Sequence, residues 1–201
     1  MSETFEQMTF TRILESFAAR TPTPGGGAAA GLSAAMGVSL AAMAMRFSVP
    51  RKVAEHELLD LAAGLEEGAL EMTRAADADC IAYDRVREAF RLPKESDDEK
   101  AARSQAIHRA TLGALASPLE LMRRILVHLE TLAGKAGEIK EMLASDMISA
   151  GWALRAGCEM AWQNVKINAE GLGDDPVGRR ALAEGEELRA RAAALVEDLA
   201  G

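Results

Sequence analysis

Two aspartates separated by one residue, Asp77 and Asp79, are acid/base candidates. They lie in an otherwise apolar stretch with a helical pattern, where burial would raise the pKa of a carboxyl group toward the range useful for proton transfer. Residues two apart do not share a helix face, so we expect one of them, preferably Asp79, to point into a site. The alternative is a helix-surface carboxylate, which the pattern alone favours.

A loop rich in proline and glycine precedes a long apolar helix pattern. It contains Pro24, Gly25, Gly26 and Gly27. Proline fixes the backbone, and glycines lack the Cβ that would keep a ligand or a neighbouring helix away. The amino end of the helix would offer free N–H groups to an anion. The phosphate-binding and dinucleotide-binding glycine motifs are both missing. A ligand-contacting loop and a tight entry into a closely packed helix are equally supported.

The elements that must position these residues are helices. Apolar residues recur at helical spacing through most of the chain, and no run alternates as a strand does. Capping boxes at Ser96 and Ser117 predict two helix starts, near Asp97 and Pro118. The other predicted helices run from about Glu6 to Ala19, Ala28 to Phe47, Val53 to Phe90, Asp146 (after a Ser145 cap) to Gly171 or Gly173, and Pro176 to Leu199. The sequence therefore predicts an all-α, single-domain bundle of long packed helices over residues 1–201.

Composition narrows the function classes. The chain has 201 residues, of which 49% are hydrophobic and 4% aromatic, and its net charge is −8. This acidity argues against nucleic acid as a partner. Neither the two cysteines nor the three histidines show metal-ligand spacing, so we expect no bound metal. We expect a cytoplasmic protein, because the cysteines lack disulfide-type spacing and no secretory signal precedes the chain.

The apolar segment from Ala28 to Met45 approaches the length of a membrane span. It is dominated by Ala, Gly, Ser and Met, which favours a buried central helix and no membrane. Gly27 and Gly31, continued by Ala35, are spaced by four residues and would let another helix approach closely, in the core or at a subunit interface.

Six sequence elements occur in an order typical of one enzyme family. From Phe5 to Asp174, the chain resembles the cyclodeaminase/methenyltetrahydrofolate cyclohydrolase family. The elements are Thr-Pro-Thr-Pro-Gly-Gly-Gly at 21–27, Asp-Ala-Asp-Cys-Ile-Ala-Tyr at 77–83, Arg-Leu-Pro-Lys at 91–94, Ser-Pro-Leu at 117–119, Ser-Asp at 145–146, and Asn-Val-Lys-Ile-Asn at 164–168 with Asp174.

The resemblance implies a homodimeric folate enzyme that needs no tightly bound cofactor. Asp77 and Asp79 match the acidic element of the family, which reverses the preference for surface carboxylates. Lys52 matches a family lysine and could hold the folate glutamate or steer a proton, although a lone exposed lysine is ordinarily just solvated. Lys94 is a further candidate for binding the acidic tail of a folate.

Three more polar residues are substrate-binding candidates under this resemblance. Asn164 and Asn168 lie one helical turn apart, and their amides suit the donor and acceptor edge of a pterin ring. A pair of hydrogen bonds between helices is an equal alternative. Asp146 could contact a pterin or ammonium-like nitrogen, but a cap of its own helix is the stronger interpretation.

The sequence departs from the family pattern in three places. Ala28 follows the glycines where Ser or Gly is common, and Ala54 replaces an aromatic residue. Residues 139–142 read Ile-Lys-Glu-Met where a polar Gly-Asn-x-Asn element is usual. These changes leave the expected fold intact and weaken the assignment of substrate.

Three functions stay open. The first is a folate enzyme, with cyclohydrolase favoured over cyclodeaminase because the chain has no attached transferase domain. The second is a divergent relative that binds or converts another small molecule. The third is a non-catalytic helical subunit.

Overall fold

Helices account for nearly all of the part that the computed structural model describes, residues 3–201, and this part contains no strand. A short 3-10 turn, Phe5–Gln7, precedes the first α-helix. The six α-helices are α1 (Phe10–Ala18), α2 (Gly26–Ser48), α3 (Glu57–Phe90), α4 (Asp97–Lys135), α5 (Ala144–Gly171) and α6 (Pro176–Ala200). The predicted all-α, single-domain bundle is confirmed.

Two predicted helix starts are too early. The first helix was expected from Glu6, but Thr9 accepts the N–H of Arg12 and caps a helix that begins at Phe10. The third was expected from Val53, but His56 Nδ1 accepts the N–H of Leu58 at 3.1 Å, and the helix begins at Glu57. In both cases a side-chain acceptor at the cap position fixes the boundary.

The expectation of separate helices starting near Asp97 and Pro118 is wrong. The capping box at Ser96 forms, but α4 continues for 39 residues with Pro118 in its interior. A proline cannot donate to the carbonyl four residues earlier, here that of Ala114. The Asn168 side chain of α5 donates its Nδ2–H to that carbonyl at 2.9 Å. A neighbouring helix therefore supplies the hydrogen bond that Pro118 cannot make.

The start of α5 also differs from the prediction. The helix begins at Ala144, after a 3-10 turn at Glu141–Leu143, and Leu143 occupies the cap position without a side-chain hydrogen bond. Ser145 is therefore not the cap, and neither is Asp146, which lies in the first turn. The 3-10 turn is directly continuous with the helix, and no side chain caps the first turn of α5.

Small residues bring α2 into close contact with its two neighbours, α3 and α5. A Cβ at Gly31 would lie 2.6 Å from the Met72 carbonyl of α3, and one at Gly37 would lie 2.9 Å from the Ala150 carbonyl of α5. The predicted close approach at Gly31 is thus confirmed, and it occurs inside the core. α2 runs antiparallel to both neighbours, and α4 and α6 complete the bundle around α5.

The helix α2 is also long and apolar enough to cross a membrane by length and composition, with a mean hydropathy of 1.6. More than half of that apolar window, 56%, is buried within the protein. A buried core helix meets the same length and hydropathy criterion as a membrane span. The burial of α2 agrees with the predicted central helix.

Candidate active site

The proline–glycine loop meets α3 and α5 at the amino end of α2. Gly27 is buried directly against Asp79, and a side-chain carbon at this position would overlap the Asp79 carboxylate. On the other side, a Cβ at Gly26 would lie 3.6 Å from Asn164 Nδ2 of α5. The glycines therefore allow an acidic side chain and an amide side chain to reach the backbone of the loop.

Asp79 is half-buried beside the first turn of α2. Burial raises the pKa of its carboxyl above the ordinary value, and the backbone N–H of Ala28 opposes part of this shift. Gly25, at the cap position of α2, has no side chain to bind the free N–H groups of the first turn. The helix-surface alternative does not describe Asp79, because this carboxyl faces the amino end of another helix.

Asp77 faces the opposite side of α3, as the spacing predicts. Its Oδ1 accepts the N–H of Phe5 at 3.1 Å. Burial raises the pKa of this carboxyl, the hydrogen bond from Phe5 lowers it, and the nearby Glu6 raises it further. The two aspartates therefore flank the loop from different directions.

A cavity of about 540 Å³ adjoins the proline side of the loop and is lined by Asp77. Thr23 and Pro24 form one wall, and Phe5, Cys80 and Asp84 line other parts. Asp79 is not among its lining residues. Within one chain, Asp77 rather than Asp79 therefore opens into this cavity, which does not support the preference for Asp79. Both aspartates stay candidates for the acid/base role.

Sequence reasoning missed three parts of this cavity. Phe5 is brought there by the amino-terminal turn, and Cys80 and Asp84 follow Asp77 along α3 at one-turn and two-turn spacing. That spacing is the signal that could have found Cys80 and Asp84. Burial raises the pKa of the Cys80 thiol to about 11, with the negative charges of Asp79 and Asp77 adding to the effect. A neutral thiol is a poor nucleophile, so Cys80 contributes mainly to the shape of the cavity.

The two asparagines occupy one face of α5 but have different partners. Asn164 lies beside Gly26 and donates its Nδ2–H to the Met160 carbonyl at 3.0 Å. Asn168 donates to the Ala114 carbonyl of α4. For this residue, the structure agrees with the predicted alternative to pterin binding, a hydrogen bond between helices. Asn164 is the member of the pair that borders the loop.

Lys52 and Asp146 lie at the other end of the bundle. Lys52 is exposed in the loop after α2, and Asp146 is half-buried in the first turn of the antiparallel helix α5. The length of α2, at about 1.5 Å per residue, is roughly 33 Å. Within one chain, Lys52 therefore lies far from Asp79, because α2 separates them, and its role in holding a folate glutamate or steering a proton stays a prediction.

Two further sequence features also lie away from the loop. Lys94 is exposed between α3 and α4, beyond the end of α3, which runs eleven residues past Asp79. The unusual segment at 139–142 packs at the carboxyl end of α2, where the Lys140 N–H donates to Ser48 Oγ at 3.0 Å. The segment that departs from the family pattern therefore lies at the end of the bundle opposite the proline–glycine loop.

The site offers carboxyl groups and the free N–H groups of a helix end. Within residues 3–201, no cluster of His, Cys, Asp and Glu side chains has the arrangement to hold a metal ion. Carboxyl groups can exchange protons with a bound molecule, and burial raises the pKa of both Asp77 and Asp79 above the ordinary aspartate value. The arrangement can therefore support general acid/base chemistry.

Known proteins of one family are similar to nearly the whole chain. A family model described as formiminotransferase-cyclodeaminase matches residues 9–187. A methenyltetrahydrofolate cyclohydrolase of Methylorubrum extorquens is 36% identical over 194 residues, which cover 94% of this chain and 92% of that protein. The formimidoyltransferase-cyclodeaminase of Sus scrofa is 30% identical over 177 residues, but this chain spans only 31% of its length.

The fold also matches a solved structure. The crystal structure of a formiminotetrahydrofolate cyclodeaminase from Thermotoga maritima aligns with a TM-score of 0.82 and 26% identity, covering 96% of this chain and 94% of that one. The family model, the similar length of the bacterial relative and the shared fold agree with one another. This chain therefore belongs to the formiminotransferase-cyclodeaminase family.

Proposed function

We propose that this protein hydrolyses 5,10-methenyltetrahydrofolate to 10-formyltetrahydrofolate. The observation that carries the proposal is the 36% identity to a methenyltetrahydrofolate cyclohydrolase across 94% of this chain and 92% of that protein. The match extends over nearly the whole of that protein, whereas this chain spans only 31% of the formimidoyltransferase-cyclodeaminase of Sus scrofa.

Hydrolysis adds water to the one-carbon bridge between two folate nitrogens. The water oxygen bonds to the bridging carbon and loses one proton, and the resulting hydroxyl loses the second proton and becomes the formyl carbonyl as the bond from that carbon to N5 breaks. N5 takes up a proton, the formyl group stays on N10, and the overall reaction releases one proton. A group that accepts a proton from water and one that donates a proton to N5 are sufficient for this chemistry.

The two aspartates at the loop are the proton-transfer candidates. Asp79 has its carboxyl pKa raised by burial beside the amino end of α2, and Asp77 lines the adjoining cavity. Under this proposal Pro24 and the glycines shape the contact surface for the substrate, and Asn164 binds the pterin edge. The reaction needs no metal and no tightly bound cofactor, so prolonged treatment with a chelator should leave the rate unchanged.

The test is the loss of the near-ultraviolet absorbance of 5,10-methenyltetrahydrofolate on adding purified protein. A reaction without protein corrects for spontaneous hydrolysis. Asp79→Asn and Asp77→Asn are measured in parallel, and loss of a positioned acid or base typically lowers kcat about 100-fold or more. Full turnover in both variants, with normal folding, would remove the aspartates from the mechanism. No acceleration by the wild-type protein would refute the cyclohydrolase function.

Cyclodeamination of 5-formiminotetrahydrofolate is the second candidate. Two observations favour it, namely the fold shared with the Thermotoga maritima cyclodeaminase and the identity to mammalian formimidoyltransferase-cyclodeaminases. In this reaction N10 attacks the formimino carbon and ammonia leaves, which produces the same methenyl chromophore. A rise in absorbance from 5-formiminotetrahydrofolate, without accelerated hydrolysis of the methenyl compound, would select this reaction.

We also propose that the protein acts as a homodimer. The helix α1 has apolar residues on one face but contributes no buried residue to the monomer. Phe10 of α1, Met36 of α2 and Leu70 of α3 lie around one apolar groove, and Phe10 and Met36 are 65% and 57% exposed. A contiguous exposed apolar surface of this kind is typical of a protein interface.

The cellular setting follows from the same proposal. Both cysteines are free thiols, which suits a reducing cytoplasm. The net charge of −8 is unfavourable for binding nucleic acid or anionic membrane surfaces. The expected small-molecule partner is a folate.

A further inference from the structure

We propose that a cleft between the carboxyl end of α3 and the facing part of α4 binds the glutamate tail of the folate substrate. Arg85 of α3 and Arg109 of α4 hold the carboxylates of this tail. The inference rests on the proposed function, because the ligand is the anionic part of the same folate whose one-carbon bridge reacts at the adjoining cavity.

The cleft has a volume of about 320 Å³ and is lined by both helices. Its apolar lining consists of three alanines and Leu92, and its charged lining residues are Arg85, Glu88 and Arg109. Both arginines are exposed, and neither forms an ion pair within residues 3–201. The cleft therefore offers two unpaired guanidinium groups against one carboxylate.

The two arginines lie level with each other across the cleft. A Cβ at Gly68 of α3 would lie 2.7 Å from the His128 ring of α4, and Arg103 of α4 donates to the Phe90 carbonyl of α3 at 3.1 Å. These contacts show that α3 and α4 run antiparallel, and the same register sets the two arginines opposite each other. Guanidinium groups bind carboxylates through parallel N–H donors, so this pair suits a ligand with several carboxylates.

The cleft adjoins the acidic cavity along α3. Ile81 and Asp84 line the cavity, and Arg85 and Glu88, each one helical turn further on, line the cleft. Arg85 lies eight residues after Asp77, about 12 Å along the helix axis. In a folate, an aminobenzoyl spacer of comparable length separates the one-carbon bridge from the first glutamate. A folate whose bridge lies at Asp77 therefore brings its glutamate to Arg85.

The cavity and the cleft carry opposite charges, as do the two ends of the substrate. Two carboxylates of the cavity are paired, Glu3 with Arg12 at 3.4 Å and Asp84 with Arg87 at 3.7 Å, whereas Asp77 forms no ion pair within the described residues. The bridge of 5,10-methenyltetrahydrofolate is an amidinium cation, and its tail is anionic. The proposed orientation sets each end against the opposite charge, and the reverse orientation brings like charges together.

Longer tails have a further cation beyond the cleft. Lys94, which the sequence analysis named as a candidate for the acidic tail, is exposed two residues after Leu92 of the cleft lining. It forms no ion pair in the part of the chain that the structure describes. Additional γ-linked glutamates therefore extend from the cleft toward Lys94, and affinity should rise with their number.

Binding of p-aminobenzoyltriglutamate tests the cleft without turnover. This fragment has the spacer and three glutamates of a folate but neither the pterin nor the one-carbon bridge. Titration calorimetry should show binding to the wild type that Arg85→Gln and Arg109→Gln each weaken about 10-fold, because each removes a charge-assisted hydrogen bond. Arg180→Gln, at an exposed position on α6, is the matched control and should bind like the wild type. Absence of wild-type binding, or equal binding by all variants, would overturn the proposal.

Turnover tests the same contacts with the whole substrate. The triglutamate of 5,10-methenyltetrahydrofolate should have a lower KM than the monoglutamate. Arg85→Gln and Arg109→Gln should raise the KM of the triglutamate about 10-fold with little change in kcat, because the tail is bound equally before and in the transition state. Glu88→Gln should lower this KM, since it removes a carboxylate that repels the tail. A higher KM in Glu88→Gln, or a loss of kcat alone in the arginine variants, would contradict the assignment.

The two measurements separate this inference from the proposed function. If the fragment binds as expected and the wild type turns over neither substrate, the cyclohydrolase function fails and the cleft stands as a site for folate tails. If turnover is normal and the arginine variants keep the wild-type KM and fragment affinity, the function stands and the cleft assignment fails.

Discussion

At the scale of single residues, the Asp79 carboxyl experiences two opposing effects. Burial disfavours its charged form, and the backbone N–H of Ala28 at the amino end of α2 favours it. Burial is the larger effect, so the folded protein holds the Asp79 proton more tightly than the unfolded chain does. This residue therefore links the stability of the fold to pH.

The linkage gives a prediction for stability. The favourable contribution of Asp79 is fully present below the ordinary aspartate pKa of about 3.9 and is lost as pH rises through the raised value of the folded state. Asp79→Asn removes this dependence, so its melting temperature relative to wild type should increase between pH 3.5 and pH 7. Thermal unfolding at several pH values measures the difference. A constant difference would contradict the raised pKa.

A second prediction at this scale concerns Gly27. Gly27→Ala would force the Asp79 carboxylate away from the first turn of α2, because the new methyl group overlaps it. We expect folate turnover to fall about 10-fold or more, since small misplacements of catalytic groups are costly. The control is Gly64→Ala in α3, where a Cβ meets no atom within 4 Å.

The control should retain full activity and gain about 0.5–1 kcal/mol of stability, because alanine is the better helix former. Circular dichroism and the absorbance assay measure both properties for each variant. Unchanged turnover in Gly27→Ala would show that the contact with Asp79 is not needed for catalysis.

At the scale of elements, α4 and α5 are joined by the hydrogen bond from Asn168 to the Ala114 carbonyl. Asn168→Ala leaves that carbonyl without the donor that Pro118 cannot provide, and we expect a loss of about 1–3 kcal/mol in the free energy of unfolding. In a Pro118→Ala background the new backbone N–H can bond to Ala114, so the same change should be less destabilising.

A double-mutant cycle by urea unfolding measures this coupling. We expect the combined variant to be more stable than the sum of the single changes predicts, by about 1 kcal/mol. Strict additivity of the two substitutions would contradict the compensating role of Asn168.

The contact between α3 and α4 contains a partly buried histidine. The His128 ring lies over Gly68, where a Cβ would be 2.7 Å from the ring carbon Cε1. Burial lowers the pKa of His128, with Glu71 raising it and Arg124 lowering it to smaller extents. The folded protein therefore prefers the neutral ring.

This preference predicts acid sensitivity. The stability due to a lowered histidine pKa is present above about pH 6.5 and is lost as pH falls through the folded value, at up to about 1.4 kcal/mol per pH unit for one proton. His128→Gln should flatten this part of the stability profile. Urea unfolding between pH 7.5 and pH 5 measures it, and an identical slope in both proteins would contradict the assignment.

At the scale of the whole molecule, the exposed apolar groove between α1, α2 and α3 predicts self-association. Met36→Glu places a charge at the centre of the groove and should convert the proposed dimer to a monomer, because an unpaired charge is unfavourable in an apolar interface. Sedimentation equilibrium measures the mass. Ser149→Glu, an exposed position on α5, is the control and should remain dimeric. A monomeric wild-type protein would contradict the proposal.

The sequence by itself determined the class of fold, the family and most helix boundaries. Helical periodicity and small-residue spacing are local properties, so they predicted the bundle and the close approach of another helix at Gly31, which the structure identifies as α3. The capping box at Ser96 correctly predicted the start of α4. The similar box at Ser117 gave a wrong prediction of a helix start. A local cap signal cannot show that Asn168, 54 residues away from Ala114 in the sequence, supplies the hydrogen bond that lets Pro118 lie inside a continuous helix.

Only the tertiary structure decided which candidate residues meet. Gly27, Asp79 and Asn164 come from three separate segments and gather at the amino end of α2, whereas Lys52 and Asp146 lie at its other end. Sequence order could not show this, because antiparallel packing brings distant residues together while a straight helix holds its own ends apart. The direction in which α3 and α5 pack against the rigid helix α2 therefore decides the composition of the site.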